Sequence, residues 1–147
     1  MRGSINKLIK KLIRKYKTTN PYDLASCLNV LIFEVELKNT LGMYRYINKT
    51  RTILINTNLS DEVKRFVLAH ELGHAILHTK ENCFYLRYNT FIKTSTYEVE
   101  ANKFAAELLI DDKEFKSNIG KGFTVGQLAS YFEVPEELIE YKFKNIN

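Results

Sequence analysis

The chain has 147 residues, of which 45% are hydrophobic, 12% aromatic and 27% charged, so it has the size and balance of one folded domain and not of a disordered or collagen-like polymer. Its two cysteines, Cys27 and Cys83, are too few for a disulfide framework and suit a reducing compartment. No apolar run approaches the ~18–20 residues of a membrane span, and lysines interrupt every early apolar stretch, so a soluble, cytoplasmic protein with no membrane partner is expected. The net charge of +5 is concentrated near the start, where residues 1–22 hold seven basic side chains and no acidic one. That run reads first as a solvated helix face, with a docking patch for an acidic or nucleic-acid partner as the alternative.

In chain order, Ile5, Leu8, Ile9, Leu12, Ile13 and Tyr16 recur at three- and four-residue spacing and predict an amphipathic helix. Asn20-Pro21 reads as a cap followed by proline at the first helical position, opening a short helix to about Leu28. Val30 to Leu37 is rich in branched and aromatic residues and predicts a strand. Two more strands, Met43–Ile47 and Thr52–Ile55, are joined through Asn48-Lys49-Thr50 as a hairpin. Ser60-Asp61-Glu62 then opens a long helix to about His78, helped into the core by Phe66, Val67, Leu68, Ile76 and Leu77.

Residues 80–94 read as a polar and aromatic loop, long enough to suggest a functional role. A second long helix begins at Ser95, where Ser95 and Glu98 have the form of a capping box, and it is expected to carry Val99, Phe104, Ala105, Leu108 and Leu109 inward. Short helices follow Asp112, the last two over Val125–Phe132 and Pro135–Phe143. The expected class is α+β, with a small antiparallel sheet. Residues 1–112 form the core, and 113–147 a short helical C-terminal subdomain of the same compact unit.

The chemistry is carried by His70-Glu71-Leu72-Gly73-His74. Helical positions four apart stack on one face, about 6 Å apart along the axis, so both imidazoles can converge on one zinc ion. Glu71 lies beside the first ligand, where its carboxylate can take a proton from water attacking a carbonyl without occupying the metal. A hydrolytic zinc needs three protein ligands and one open position. Among downstream candidates, His78 is eight residues from His70, too far along the helix to join both histidines, and reads as a helix-end residue favoured by the dipole. Cys83 would make a closed, thiolate-rich site, and Glu81 lies just past the helix. Glu98 is already explained as a cap, which favours Glu100 as third ligand and leaves Glu98 as the alternative. Asn102 can hydrogen-bond a ligand from outside and fix its orientation. Tyr85, Tyr88 and Tyr97 are candidates for stabilising an oxyanion, with none preferred.

The run from His70 to His78, followed by Glu100-Ala101-Asn102-Lys103-Phe104-Ala105-Ala106-Glu107-Leu108-Leu109, resembles the ImmA/IrrE family of zinc metallopeptidases, which pairs H-E-x-x-H with a helix reading E-A-N-x-F-A-x-x-L-L. The likeness extends upstream through Gly42-Met43-Tyr44 and Ile53-Leu54-Ile55-Asn56. The family often has proline shortly after the paired leucines, whereas this chain continues Ile110-Asp111-Asp112, a departure at a helix end. The resemblance implies a zincin-like two-helix metal site with Glu100 as third zinc ligand. It also implies a cytosolic endopeptidase that cuts a DNA-binding, helix-turn-helix repressor of a mobile element or stress regulon. An extended substrate is expected to add to an exposed sheet edge, with the 43–55 hairpin as the candidate.

Two rival readings remain at this level. A zinc-binding regulator acting by association would not need Glu71. The C-terminal pair around Thr124–Phe143 has the spacing of a helix-turn-helix, but its second helix carries Glu136, Glu137 and Glu140, a poor surface for phosphates, so direct DNA binding is not expected.

Overall fold

The structure, a computed structural model, describes residues 2–81, 84–86 and 95–145. Helix α1 (Arg2–Tyr16) buries Ile5 and Ile9 against α4 (Thr96–Leu109) and keeps its lysines in water. Helix α2 (Pro21–Cys27) starts where the Asn20 side chain accepts a hydrogen bond from Tyr22 N–H at 2.8 Å, with Pro21 filling the first turn, where no intrahelical donor is needed.

The sheet consists of β1 (Leu31–Val35), β2 (Gly42–Ile47), β3 (Thr50–Asn56) and β4 (Phe84–Leu86), in the order β1-β3-β2-β4. Strands β2 and β3 are antiparallel, with Ile47 opposite Thr50 across a two-residue turn. Asn48 and Lys49 both have positive φ there, 52° and 62°, the left-handed pair whose twist matches a hairpin. Two features differ from the expectation. Strand β1 pairs parallel to β3, so the sheet is mixed, and β4 lies within the stretch read as loop, antiparallel to β2 over Gly42–Tyr44. The remaining residues of that stretch, 82, 83 and 87–94, which include Cys83 and Tyr88, lie outside the described residues. As a result, the hairpin expected to be a free edge is interior, and the outer strands are β1 and β4.

Alternation along the strands sends Tyr44, Ile53 and Ile55 into the core beneath α3 (Asp61–Leu77). Ser60 caps α3 by accepting from Val63 N–H, and every residue from Phe66 to Ala75 is buried, as befits a helix enclosed by the sheet on one side and α4 on the other. Two glycines allow this closeness. A Cβ on Gly42 would meet Val67 Cγ1 at 2.5 Å, and one on Gly73 would meet Phe104 Cβ at 3.1 Å and Ala101 Cα at 3.2 Å. Of the residues expected inward on α4, Phe104, Ala105, Leu108 and Leu109 are buried and Val99 is 44% exposed, while Glu98, Ala101 and Asn102 are buried as well.

Helices α5 (Asp112–Gly120), α6 (Val125–Phe132) and α7 (Glu136–Asn145) add Phe115, Leu128, Leu138 and Ile139 to the same hydrophobic cluster. Glu133, in the left-handed conformation, ends α6, whose last carbonyls accept from Arg65 of α3 at 2.6 Å (Phe132 O) and 3.1 Å (Glu133 O). Lys142 of α7 is buried between Glu107 of α4, at 3.2 Å, and Asp112 of α5.

Candidate metal centre

His70 and His74 stand one turn apart on α3, wholly buried, with ring centroids 5.0 Å apart and planes at 76°. Across from them α4 contributes Glu98. Its Oε2 lies 3.1 Å from His70 Nε2 and its Oε1 3.1 Å from His74 Nε2. Ligand atoms of the three residues all fall within 4.8 Å of one another, so the group could hold one metal ion. Glu100 is not brought to this cluster. Its carboxylate lies 3.6 Å from Nε2 of His78, on the outer side of the site.

The helix period explains the exchange. Residues four apart on a helix lie about 40° apart around it, and residues two apart about 200°. Glu98 and Asn102 therefore share a face, and Asn102 Oδ1 meets His70 Nδ1 at 2.8 Å. Ser95 Oγ does accept from Glu98 N–H, at 3.3 Å, but the Glu98 carboxylate is turned to the two imidazoles. A backbone cap leaves the side chain of the capped residue free for other work, and reading Glu98 as consumed by the cap concealed it. The signal that could have found it was the four-residue spacing to Asn102.

The outer nitrogens settle what the inner ones present. The Asn102 amide oxygen accepts, so a neutral His70 carries its proton on Nδ1 and turns a lone pair from Nε2 toward Glu98. That nitrogen is buried and, among the described residues, makes no hydrogen bond of good geometry despite its 3.1 Å approach to the carboxylate. A lone pair facing a carboxylate oxygen across such a gap repels unless a proton or cation lies between them. Both oxygens of Glu71 are likewise buried without a hydrogen-bond partner among the described residues. Two imidazoles and one carboxylate are a donor set that suits zinc, so the residues present fit a metal.

Burial dominates the electrostatics. Desolvation pushes His74 down to about 4, against the pull of Glu98. Burial would raise Glu98, but the two imidazoles beside it, His70 and then His74, hold it well below the usual carboxylate range. Glu71 is driven well above that range, first by burial and then by the charge of Glu98. His78 ends α3, as expected of a helix-end residue, and is buried, with its Nδ1 3.0 Å from His74 Nδ1 and the Tyr97 ring 4.7 Å from its own.

Comparison with known proteins matches residues 25–144 to the peptidase M78 family, described as the IrrE N-terminal-like domain. The chain belongs to that family. It is 40% identical to the "uncharacterized immunity region protein 2" of Bacillus phage phi105, over 94% of this chain and 88% of the relative. It is 30% identical to "metallopeptidase ImmA" of Bacillus subtilis strain 168, over 94% and 83% respectively. The M78 match spans the sheet, α3 and α4, and so includes every residue of the His70–His74–Glu98 group.

Proposed function

We propose that this M78 protein is a zinc-dependent endopeptidase that hydrolyses one peptide bond in a partner protein, a DNA-binding repressor of a mobile element, in the cytoplasm. The observation that carries the reading is the convergence of His70, His74 and Glu98 beside the unpartnered carboxylate of Glu71. His70, His74 and Glu98 hold the metal, with Glu98 in the place expected of Glu100. A zinc ion held there supplies Lewis acidity toward a peptide carbonyl and makes water a better acid. Glu71 acts as general base, taking the proton of the attacking water and returning it to the leaving amine. Asn102 keeps the His70 ring turned so that Nε2 faces inward.

The substrate part of the reading is supported by the names of the relatives, a metallopeptidase and a phage immunity-region protein. Among the described residues no helix is long and apolar enough to cross a membrane, which agrees with a partner met in solution. The test is to incubate zinc-loaded protein with the repressor encoded nearest its gene and to map products by mass spectrometry, alongside Glu71→Gln. Wild type is expected to give one cut, and Glu71→Gln to bind zinc without cutting. Equal cleavage by the two would remove Glu71 as base, and an intact repressor with loaded wild type would remove the substrate assignment.

A further inference from the structure

The two metal-facing imidazoles are both held from behind, but by unlike partners. Behind His70 stands the amide oxygen of Asn102 at 2.8 Å, and behind His74 stands a ring nitrogen, Nδ1 of His78, at 3.0 Å. Two imidazole nitrogens in such a contact share a single proton, since one N–H must face one lone pair. For His74 to offer a lone pair from Nε2 to a metal, rather than donate that N–H to Glu98 Oε1 at 3.1 Å, its proton must sit on Nδ1. His78 Nδ1 is then the acceptor and the proton of His78 lies on Nε2, the nitrogen 3.6 Å from Glu100 Oε2. The order is carboxylate, imidazole, imidazole, with a hydrogen bond between the rings and a longer charge contact, 3.6 Å, between His78 and Glu100.

The ring of His78 has little freedom to break this order. It is 8% exposed, with His74 on one side at a centroid distance of 5.2 Å and Tyr97 on the other at 4.7 Å. Its backbone N–H also donates to His74 O at 2.8 Å, closing the last turn of α3. We propose that His78, aligned by Glu100, is a positioning residue for the metal site: it fixes His74 in the Nδ1–H tautomer and so keeps Nε2 ready as a ligand. The proposal rests on the metal-binding role assigned above to His70, His74 and Glu98. It also gives Glu100 a task two bonds removed from the metal, as the group that orients the orienter.

The test uses atomic equivalence. Asparagine carries its amide oxygen on Cγ, as histidine carries Nδ1, so His78→Asn keeps an acceptor near the same point, whereas His78→Phe keeps the ring and loses the acceptor. Zinc affinity is measured by competition with a chromogenic chelator, and ring-nitrogen NMR of the zinc-loaded protein reads the tautomers, a simple spectrum because the chain has only three histidines. His78→Phe is expected to lose about 10- to 100-fold in zinc affinity, the usual cost of removing an outer partner, and to leave the His74 Nδ1–H without its acceptor. His78→Asn is expected to recover most of the affinity.

Wild-type affinity in His78→Phe, or an equal loss in His78→Asn, would overturn the proposal by making the ring mere packing. Should His78→Phe not fold, the zinc-loaded wild type still decides, because a proton on Nδ1 of His78 would leave two N–H groups facing each other and overturn it. Zinc binding unaffected by His70→Ala would instead remove the metal assignment itself and this inference with it, an outcome the tautomer reading keeps distinct.

Discussion

A carboxylate buried between two imidazoles is stable only when its charge is answered, and Glu98 is answered by two nitrogens at 3.1 Å. Its neighbour Glu100, two residues on, faces instead the outer nitrogen of His78, at 3.6 Å. The two glutamates therefore separate by experiment. Glu98→Ala removes one of three donors and is expected to cost more zinc affinity than the ~10- to 100-fold of an outer partner, while Glu100→Ala stays at or below that range. Metal content after dialysis against buffered zinc checks this, and equal losses would sink the ligand assignment. The sequence made the histidine pair legible because four-residue spacing is a property of any helix. It did not make Glu98 legible, because the face of α4 turned inward depends on contacts with α3, and Val99, an apolar residue left 44% exposed, pointed the wrong way.

At the level of elements, the site is held by one close approach. Gly73 sits between the two histidines proposed as ligands, and a Cβ there would meet Phe104 Cβ at 3.1 Å and the Ala101 backbone at 3.2 Å. Those residues flank Asn102 on α4, so any relief must move the helix that carries Glu98. Gly73→Ala gains ~1 kcal/mol of helix propensity but incurs ~1–3 kcal/mol of overpacking, for a net loss of roughly 0–2 kcal/mol. The expected signature is a modest fall in Tm with a clear fall in zinc affinity, measured by denaturation of the metal-free protein and by chelator competition. Unchanged affinity would show that α4 tolerates the shift without moving Glu98. The sheet illustrates what local pattern reveals. The β2–β3 hairpin was readable because its turn and strands are adjacent in sequence, whereas the parallel pairing of β1 with β3 and the placement of β4 beside β2 are non-local choices. Those two pairings also decide which strands lie at the edges, so the expected substrate edge was misplaced by the same gap.

Across the whole molecule, the metal site depends on helices that supply none of its ligands. Arg65, one turn before His70 on α3, holds the end of α6, while Lys142 joins α7 to Glu107 on the same helix as Glu98 and to Asp112 at the start of α5. Lys142 is only 2% exposed, so Lys142→Ala leaves Glu107 facing a space that cannot solvate it well. Breaking a buried pair costs ~3–5 kcal/mol, and the half-exposure of Asp112 puts this case near or below the lower end, at roughly 2–3 kcal/mol. For a chain of this length that corresponds to a fall in Tm of about 5–10 °C. Because Leu138 and Ile139 of α7 share one hydrophobic cluster with Ile53, Leu72 and Phe104, the loss is expected to lower a single cooperative transition. Circular dichroism and tyrosine fluorescence should shift together, and zinc affinity of the folded fraction should be unchanged. A C-terminal transition that melts early, leaving zinc bound to the remainder, would show instead that α5–α7 are an independent unit resting on the metal-binding core.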